Sequence, residues 1–442
     1  MSHTIFMITG LSDVEIAGNQ SLKNSLTFLS KSDFHIHLFS FLPSNYPNLE
    51  KPGSLFLPNV TFHRLPAIFS PLVALGKLFK DLFGKRKSNK FSVEIMSNNV
   101  AGTFLREYNP LGRITYILFL FLFYTPLDFL RIILFCLKHN PDLFYGVNCQ
   151  GSFLASLLGR TLHKPIITRF HGISVTLDDL NNWKRKIFLL DEITGLTAKT
   201  DAIIVTNDGT KGEDILKRLK VNGNKIRFWL NGFDYNHLSL PPNWDRKKFI
   251  DQLGIANHFV LLMVSRLASW KRVDRGIDIV NRLVQKHNFE NQILLIAGEG
   301  PERKKLENLV VTLNLKRYVR FLGGIPHREI AKYYSCADAF LSLYDVSNLG
   351  NPIFEALFFG LPLITINDGS THPLLQNDYN SILVNPANIT EEAAEKIHDL
   401  SEHAELRERL HNNAQSTFAQ NILSWQDRKK LEEDLIKTLL KN

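Results

Sequence analysis

The sequence predicts an α/β protein in which two parallel β-sheets are each covered by helices on both faces. Short apolar runs alternate along the chain with amphipathic stretches whose apolar residues recur every three or four positions. The chain has 442 residues, which is more than one ordinary hydrophobic core holds. Strands that alternate with helices build parallel sheets, because each crossover helix returns the chain to the same end of the sheet. We therefore expect two domains of this type.

The second half of the chain, from Lys225 onward, shows the clearer alternation. Its apolar runs predict seven buried strands, which are KIRFWL, HFVLLMVS, QILLIAG, YVRFLG, DAFLSLY, LPLITI and SILVN. Three amphipathic stretches between these runs predict helices, which are RVDRGIDIVNRLVQKH, PERKKLENLVVTLN and HREIAKYYSC. This repeated order of strand and helix predicts a parallel sheet in the second half.

The first half repeats the alternation with more interruptions. Its predicted strands are TIFMIT, FHIHLFSF, DLFYGV, PIITRF and DAIIVT, and its predicted helices are GSFLASLLGRTL and GTKGEDILKRL. A glycine, two prolines and polar residues near 231–240 favour a domain boundary there. We expect a first domain at 1–232, a second at 233–415, and an amphipathic helix within 416–442 that packs back on the first domain.

Two segments interrupt this pattern. Leu72–Lys90 combines an apolar helical face with six basic residues and one acidic residue. This composition is typical of a helix that lies on an anionic membrane surface, and an ordinary solvated helix is the alternative. Ile114–Tyr124 is apolar, but its eleven residues are fewer than the roughly 20 that span a bilayer. A buried core helix and a membrane contact both remain open for this segment and its continuation after Pro126.

Charge and composition narrow the class of partner. The net charge of +9 predicts an anionic partner: nucleic acid, an acidic membrane or a phosphorylated small molecule. The sequence lacks zinc-finger spacing, an RNA-recognition signature and a helix-turn-helix, so we expect no nucleic-acid partner. Cys136, Cys149 and Cys336 lack metal-ligand spacing and fit a reducing compartment. The opening MSHTIFMITG predicts a strand rather than a signal peptide, so we expect a cytoplasmic protein, peripheral on the inner membrane face.

The stretch DVSNLGNPIFEALFFG, Asp345–Gly360, predicts an anion site. Asn351 is a favourable N-cap and Pro352 suits the first helical position, so we expect a helix to begin here. The amides of its first turn carry partial positive charge and have no partner within the helix, which suits a phosphate. Glu355 would repel a phosphate placed directly on it, so we expect it to accept hydrogen bonds from hydroxyls beside the phosphate.

Three strand-to-helix turns carry further candidate groups. VSRLASWKRVDRGI places Arg266 and Lys271 after a strand, where both cations could contact one diphosphate. AGEGPERKKLE has glycines at 298 and 300, and FLGGIPHREI has backbone groups near Gly323 that could bond a nucleobase edge. Each turn has an ordinary alternative, which is a pair of surface cations for the first and plain turn geometry for the other two.

Five motifs, taken in order, resemble the successive signatures of glycosyltransferase family 4: NGFD, SRLASWK, AGEGPERKKLE, FLGGIPHREIAKYYSCADAFLSLY and SNLGNPIFEALFFGLPLIT. The resemblance covers residues 225–390, and the first half is similar to the family's acceptor domain mainly through ITRFHGIS near residue 171. It implies the α/β fold called GT-B, in which two Rossmann-like parallel-sheet domains face each other across a cleft. It also implies a retaining transferase that uses a nucleotide-sugar donor.

The resemblance also implies roles for individual residues. By similarity, Arg266 and Lys271 neutralise the donor diphosphate, and Glu355 accepts the ribose hydroxyls. His171, at a strand end, resembles the family histidine that faces the donor sugar, and plain packing is the alternative for it. Two residues that offer backbone contacts to the base, and five that precede or begin the predicted helix, complete the predicted donor site: Gly323, Ile325, Ser347, Asn348, Leu349, Gly350 and Asn351.

The sequence departs from the family pattern near this helix. The family usually has a glutamate eight residues before the position of Glu355, where it contacts the transferred sugar, and this chain has Ser347. Asp345 could replace that glutamate only if the loop shifts, and Ser347 with Asn348 could bond the sugar as neutral partners. His372 likewise stands where a glutamate is common. We expect activity to survive these differences.

These implications lead to a specific expectation. We expect a hexosyltransferase that retains anomeric configuration and moves a hexose from a nucleotide sugar to a lipid-linked or other glycan acceptor at the cytoplasmic membrane face. No Asp-x-Asp metal motif lies in a suitable loop of the sequence, so we expect neither a metal nor another cofactor. Two cations and the helix dipole would stabilise the leaving diphosphate. A nucleotide-sugar epimerase of the same fold and a non-catalytic nucleotide-sugar-binding subunit are the alternatives.

Overall fold

The computed structural model describes residues 3–9, 20–42, 57–66, 117–118, 121–122 and 125–441. Leu72–Lys90 and most of Ile114–Tyr124 therefore lie outside the described residues, and the predictions made for them stay predictions. Within the described ranges, no helix has both the length and the apolar character needed to cross a bilayer.

The described chain forms two compact units. Unit 1 contains the residues up to Asn207, Gly212–Asn231 and the residues from Gln426 onward. Unit 2 contains Asp208–Lys211 and Gly232–Trp425. The boundaries expected from the sequence lie at 232/233 and 415/416. The four residues Asp208–Lys211 are thus separated in sequence from the rest of unit 2.

Unit 1 is built on a parallel sheet of seven strands, which are β1 (His3–Thr9), β2 (Phe34–Leu42), β3 (Val60–Pro66), β4 (Leu143–Val147), β5 (Ile166–Phe170), β6 (Ala202–Thr206) and β7 (Ile226–Trp229). Their order is β3–β2–β1–β4–β5–β6–β7. Six of these strands were predicted, because strands buried on both faces form continuous apolar runs. The edge strand β3 was not predicted, since its sequence VTFHRLP mixes polar and apolar residues and leaves Phe62 52% exposed.

The following α-helices of unit 1 precede β7 in the described chain: α1 (Gln20–Leu29), α2 (Thr125–His139), α3 (Asn148–Leu162), α4 (Leu177–Asn181), α5 (Trp183–Phe188), α6 (Leu190–Leu196) and α7 (Gly212–Arg218). In α2, Ile132 and Cys136 are buried in a cluster with Phe6 and Phe39 of the sheet. The opposite face exposes Leu127, Leu130, Leu134 and Leu137. The continuation after Pro126 is therefore a core helix on one face, and a membrane contact by the other face stays a prediction.

Unit 2 is built on a parallel sheet of six strands, which are β8 (Phe259–Val264), β9 (Gln292–Ala297), β10 (Val319–Gly323), β11 (Ala339–Ser342), β12 (Leu363–Ile366) and β13 (Ile382–Val384). Their order is β10–β9–β8–β11–β12–β13. Six of the seven runs predicted for the second half form this sheet, and KIRFWL forms β7 of unit 1. The strand order runs outward in opposite directions from β8 and from β11. The loops that leave these two neighbouring strands therefore diverge and open a crevice at their carboxyl ends.

Seven helices accompany this sheet: α8 (Arg246–Leu253), α9 (Val273–His287), α10 (Arg303–Thr312), α11 (Ile330–Cys336), α12 (Asn351–Phe358), α13 (Ile389–Glu402) and α14 (Ala404–Asn421). The helix α9 shows how apolar residues at helical spacing predict a helix that packs on the sheet. Its buried residues Ile277, Val280 and Leu283 recur every three positions and pack into one core cluster with sheet residues such as Leu294. One face of the helix is thereby fixed on the sheet.

A last helix, α15 (Trp425–Lys441), carries the chain back into unit 1. Its residue Ile436 is fully buried in a core cluster that includes Tyr145 of β4. The same helix brings Glu432 into the interior, where it accepts hydrogen bonds from Arg169 Nη1 at 2.9 Å and from the Tyr145 hydroxyl at 2.6 Å. The side chains of the ion pair are each 1% exposed, so direct bonding must offset the cost of burying both charges.

Candidate functional site

Three segments of unit 2 meet near the carboxyl ends of β8 and β11. They are the loop after β8, the loop after β11 and the short segment Asp208–Lys211. The amide of Asp345 donates to the carbonyl oxygen of Trp270 at 3.0 Å, which joins the first two loops. The amide of Leu349 donates to the carbonyl oxygen of Asp208 at 2.9 Å, which joins the second loop to the short segment. The site therefore lies where the order of the sheet reverses, the usual place for ligands of such sheets.

The loop that carries Arg266 is held by the glycine turn after β9. Gly298 has φ +140°, and a Cβ atom there would overlap the carbonyl oxygen of Ser265. The amide of Leu267 donates to the carbonyl oxygen of Glu299 at 3.0 Å. Because only glycine permits so close an approach, this turn fixes the main chain on both sides of Arg266, whose side chain is exposed.

Lys271 ends a short 3-10 helix, and its half-buried side chain lies against aromatic rings. Its Nζ atom is 4.0 Å from the centroid of the Trp270 ring and 3.7 Å from that of the Tyr344 ring. Burial lowers the pKa of Lys271 to about 7, against the opposing effect of the Asp208 charge. At neutral pH the lysine is therefore divided between its charged and neutral forms, and an arriving phosphate would favour the charged form.

Asp208 is a residue of this site that the sequence motifs did not reveal. Its carboxylate accepts hydrogen bonds from the Thr210 hydroxyl at 2.7 Å and from the Ser347 hydroxyl at 3.3 Å. Burial raises the pKa of Asp208 to about 6, although both hydrogen bonds act to lower it. The polar NDGT that follows the strand DAIIVT was the available signal, but Ser347 lies 139 residues further along the chain.

The turn that contains Asp208 packs directly on the main chain of the loop after β11. Gly209 has φ +81°, and a Cβ atom there would lie 2.7 Å from the amide nitrogen of Asn348 and 2.8 Å from that of Leu349. On the other side of this contact, Ser347 has φ +62°. A non-glycine residue in the left-handed region costs of order 1 kcal/mol or more, so the surrounding contacts must hold it there.

Asp345 does not lie where it could replace the family glutamate. Its carboxylate pairs with Arg275 at 2.8 Å and with Arg272 at 3.3 Å, both at the start of α9. The carboxylate that contacts Ser347 is instead that of Asp208. The loop shift by which Asp345 would replace the family glutamate is therefore not seen, because the two arginines fix Asp345.

The helix α12 begins one residue earlier than expected, and the prediction that Asn351 caps it is wrong. Gly350 is the N-cap and supplies no side-chain hydrogen bond, while Asn351 and Pro352 are the first two helical residues. The reason is that Gly350 takes the extended conformation of a cap, with φ −99° and ψ 173°. Gly350 supplies no side-chain cap, Pro352 has no amide hydrogen, and the Ile353 amide donates to the Gly350 carbonyl oxygen at 3.0 Å. The amino end of α12 therefore contributes chiefly the positive end of the helix dipole.

Two of the predicted donor-binding residues, both on the loop after β11, donate hydrogen bonds to backbone carbonyl oxygens of the protein. The Leu349 amide is bonded to the Asp208 carbonyl oxygen at 2.9 Å. Asn348 is fully buried, and its Nδ2 atom donates to the carbonyl oxygen of Tyr344 at 3.2 Å. These bonds hold the segment that leads into α12, and contacts of Asn348 or Leu349 with a donor stay a prediction.

Glu355 lies in α12 just past the first turn and is 3% exposed. Its Oε1 atom is 3.8 Å from Nε2 of His327, and hydrogen bonding to Glu355 raises the pKa of that histidine. Burial and the Glu355 charge raise the pKa of Tyr334 well above its ordinary value. His327 belongs to the motif FLGGIPHREI but was not singled out, since nothing in the sequence indicated its neighbour. A contact between Glu355 and ribose stays a prediction.

Gly323 and Ile325 lie beside the glycine turn that supports Arg266. The strand β10 ends at Gly323, which has φ +75°, and the Gly323 carbonyl oxygen accepts the Gly298 amide at 2.8 Å. Ile325 follows two residues later and is half-buried. The two residues thus belong to the same edge of the sheet as Arg266, and their contact with a base stays a prediction.

His171 belongs to unit 1, directly after β5, and is half-buried. Burial lowers the pKa of His171 to about 3, and the charges of Arg169 and Arg428 add to this effect. The imidazole is therefore neutral at physiological pH, with one ring nitrogen as donor and one as acceptor. In the part of the chain that the structure describes, no group of three or more His, Cys, Asp or Glu side chains is arranged to hold a metal ion.

Two family models match this sequence. The model described as "Glycosyltransferase Family 4" matches residues 86–237, and the one described as "Glycosyl transferases group 1" matches residues 245–417. The second range contains every predicted donor residue from Arg266 to Glu355. The chain belongs to glycosyltransferase family 4. The resemblance indicated by the five motifs is thereby confirmed.

Named relatives of this family-4 chain are similar to parts of it. The alpha-monoglucosyldiacylglycerol synthase of Acholeplasma laidlawii is 29% identical over 167 residues, which is 37% of this chain and 40% of the relative. The 2-deoxystreptamine N-acetyl-D-glucosaminyltransferase of Niallia circulans is 25% identical over 266 residues, which is 57% of this chain and 65% of the relative. The chain therefore aligns with less than two thirds of the length of either relative.

Solved structures are similar to the whole family-4 chain. HepE of Anabaena, in complex with UDP, has a TM-score of 0.65 at 16% identity, covering 99% of this chain and 100% of HepE. The sucrose-phosphate synthase of Thermosynechococcus elongatus has a TM-score of 0.65 at 18% identity, covering 99% of both chains. At these identities the similarity concerns the fold. Together with the two parallel sheets, it confirms the GT-B fold expected from the sequence.

Proposed function

We propose that this chain transfers a hexose from a nucleotide sugar to a lipid-linked or other glycan acceptor, with retention of anomeric configuration and without a metal ion. One observation carries the proposal. Arg266, Lys271 and the uncapped amino end of α12 all lie on loops that leave β8 and β11, where the order of the sheet reverses. Cations and the positive end of a helix dipole at such a position suit the diphosphate of a nucleotide sugar.

The charges at this point could stabilise a leaving nucleoside diphosphate. Arg266 presents a planar guanidinium whose donors suit phosphate oxygens, and Lys271 gains charge as a phosphate approaches its half-buried ammonium. Fixed cations and helix dipoles aimed at developing negative charge are an effective source of transition-state stabilisation. The proposal assigns this role to the two cations and to α12, and the sequence offers no Asp-x-Asp motif in a suitable loop for a metal ion.

The proposed position of the nucleotide follows from the position of Glu355. The carboxylate lies just past the first turn of α12, so a diphosphate at the amino end of this helix would bring an attached ribose toward it. His327 is within 3.8 Å of Glu355 and would lie beside the same hydroxyls. Gly323 and Ile325 would supply backbone contacts to the base, and the neutral His171 of unit 1 would contact the sugar.

The relatives and structural neighbours suggest the first ligands to test. Two structures of Anabaena HepE contain UDP and UDP-glucose, which makes uridine nucleotides the first candidates for this chain. One relative is named as an alpha-monoglucosyldiacylglycerol synthase, which makes a lipid acceptor the first candidate. A peripheral position on the cytoplasmic membrane face is supported by the composition of Leu72–Lys90, which combines an apolar helical pattern with a basic one.

Ligand-induced stabilisation of the folded protein tests the donor site. A panel of UDP, GDP and ADP sugars is added at one hundred times the dissociation constant, which should raise the free energy of unfolding by about 2.7 kcal/mol for a true donor. Lys271→Ala and Glu355→Ala should each abolish that increase and still fold. Lys286→Ala, at a site on α9 whose side chain is 54% exposed, should keep it. An unchanged response in both site variants would contradict the assignment.

Product analysis separates the proposed transferase from its two alternatives. A transferase should form product from the stabilising donor only when acceptor, supplied as membrane extract, is present. An epimerase would change the donor without acceptor. A non-catalytic subunit would bind UDP or GDP but never release it from a donor in the presence of the extract.

Vesicle binding tests the membrane part of the proposal separately. Replacing Lys85, Arg86 and Lys87 by alanine should weaken binding to vesicles that contain anionic lipid, because each basic residue near such a surface contributes about 1 kcal/mol. Sedimentation with vesicles of neutral lipid is the control and should show little difference. Equal partitioning of wild type and variant to anionic vesicles would contradict the membrane assignment and leave the donor site unaffected.

A further inference from the structure

The turn Asp208–Lys211 contacts the loop before α12 in three independent ways. The Asp208 carboxylate accepts the Ser347 hydroxyl at 3.3 Å, and the Asp208 carbonyl oxygen accepts the Leu349 amide at 2.9 Å. The missing side chain of Gly209 allows its Cα to lie against the amide nitrogens of Asn348 and Leu349. The turn is therefore a fixed part of the loop wall, although it comes from a distant part of the sequence.

The carboxylate of Asp208 has a defined orientation within this wall. Its Oδ1 atom accepts the Thr210 hydroxyl at 2.7 Å, and its Oδ2 atom accepts the Ser347 hydroxyl. Both oxygens are thus bonded to neutral donors, so no cation neutralises the group through these bonds. Its negative charge acts on Lys271, whose ammonium faces the rings of Trp270 and Tyr344.

We propose that Asp208 is a positioning residue of the donor site, which is held by Thr210 and Ser347 and maintains the positive charge that Lys271 presents to the donor diphosphate. The inference rests on the proposed function, because that function assigns Lys271 to the diphosphate. Burial among rings favours the neutral amine, and a fixed carboxylate in the same cluster opposes that preference.

The other charged groups around Lys271 do not supply this effect. Arg272, the next residue, pairs with Asp274 at 2.8 Å and with Asp345 at 3.3 Å, which leaves those two carboxylates engaged by an arginine. Within the described residues, Asp208 is the carboxylate whose charge opposes the burial of Lys271. The remaining titratable groups on the segments that meet here are Arg266, Tyr344 and Lys211, and Lys211 lies 3.9 Å from the Asp368 carboxylate. Glu355 follows on α12.

The pH dependence of donor binding follows from this arrangement. Binding that needs a charged Lys271 weakens as the pH rises through the pKa of that lysine. Removal of the Asp208 charge should move this weakening to lower pH. Below pH 6 Asp208 is itself mostly protonated in the wild type, because its pKa is about 6, so the two proteins should bind alike there. A substitution that merely damaged the loop would weaken binding equally at every pH.

Titration calorimetry between pH 5.5 and 8.5 tests the proposal, with the tightest binder among UDP-glucose, GDP-mannose and ADP-glucose as probe. Asp208→Asn should bind about as tightly as wild type at pH 5.5 and more weakly at pH 8.5, by a factor of about ten for each unit by which the substitution lowers the pKa of Lys271. Asp208→Glu should restore the wild-type profile.

Two further variants make the comparison specific. Asp368→Asn removes the carboxylate that lies 3.9 Å from Lys211, at the other end of the same turn, and should leave the pH profile unchanged. Lys271→Arg keeps its charge over the whole range, so adding Asp208→Asn to it should not change the pH profile. If Asp208→Asn does not fold, Asp208→Ser provides a smaller neutral side chain for the comparison.

The possible failures are distinguishable. A profile of Asp208→Asn that runs parallel to wild type would overturn the positioning role, while the donor site itself would stand. Absence of binding by the wild type to all three probes would overturn the proposed function and this inference together. In the Lys271→Arg protein no lysine titrates at this position. If adding Asp208→Asn to that protein weakened donor binding only at high pH, the inference would also be overturned.

Discussion

Unit 1 and unit 2 each bury a carboxylate in a cluster with a cation, and the pKa values of the two carboxylates move in opposite directions. In unit 1, burial alone would raise the pKa of Glu432, but Arg169 and Arg428 hold it below its usual value. In unit 2, burial raises the pKa of Asp208 to about 6 and lowers that of Lys271 to about 7. The cluster in unit 1 thus stabilises the charged form of Glu432. In unit 2, burial shifts both Asp208 and Lys271 toward their neutral forms.

The difference separates a structural cluster from one that is prepared for a ligand. Glu432 is bonded directly by Arg169 at 2.9 Å and joins α15 to the sheet of unit 1. Lys271 instead faces two aromatic rings, so its ammonium could still form a strong interaction with an anionic ligand. Titratable groups shifted toward their neutral forms in a crevice are typical of functional sites. An anionic ligand would therefore gain more in unit 2 than in unit 1.

The largest effect is expected for Glu432→Gln, which removes the buried carboxylate of the cluster in unit 1. Removing one partner of a buried ion pair leaves Arg169 uncompensated, so the free energy of unfolding of unit 1 should fall by about 3–5 kcal/mol. Urea denaturation measures this loss. Because the pKa of Glu432 is lower in the folded state, its contribution is present above the ordinary value of 4.5 and disappears as the pH falls through the folded value. Wild type and variant should therefore converge in acid.

A surface ion pair of unit 1 gives the control for this loss. Glu213 lies one helical turn from Lys217, and their side chains are 51% and 66% exposed. Glu213→Gln should change the free energy of unfolding by less than about 1 kcal/mol, because solvent screens exposed pairs. If both variants lost equally little, the buried cluster would have no special structural role and the comparison between the units would fail.

A smaller effect is expected for Gly209→Ala, which sharpens the unit 2 side. Alanine is strained at φ +81°, and its Cβ would lie 2.7 Å from the Asn348 amide nitrogen, so we expect a loss of about 1–3 kcal/mol. Donor affinity should also fall, because the loop before α12 must move. Gly254→Ala is a matched control, since Gly254 has φ +65° but nothing within 4 Å of the added Cβ. Equal donor affinity in the two variants would show that the turn is not part of the site.

Much of the fold was predictable because burial on both faces of a parallel sheet produces continuous apolar runs. The strands β8 and β9, FVLLMV and QILLIA, were found in this way. The edge strand β3 was not, because VTFHRLP includes polar residues that one exposed edge tolerates. The start of α12 was placed one residue late, since the sequence cannot tell that Gly350 rather than Asn351 adopts the extended conformation of the cap.

The candidate site was predictable only where local patterns carry it. Local motifs indicated Arg266 and Lys271, which follow a strand, and Glu355, which lies near the start of a helix. Asp208 was missed because its partner Ser347 is 139 residues away, and no periodicity records such a contact. Asp345 was considered as a substitute carboxylate because nothing in its neighbourhood showed that Arg275 would bind it at 2.8 Å. Long-range pairing, which only the folded chain defines, decided both cases.

The return of α15 into unit 1 has a consequence for biosynthesis. All of unit 2 leaves the ribosome before residues 426–441 do, and until then Arg169 has no Glu432 and the core around Tyr145 lacks Ile436. The region translated first is therefore completed last, in contrast to the usual amino-to-carboxyl order of domain maturation. A nascent chain of this protein would expose the unfinished surface of unit 1 throughout translation of unit 2.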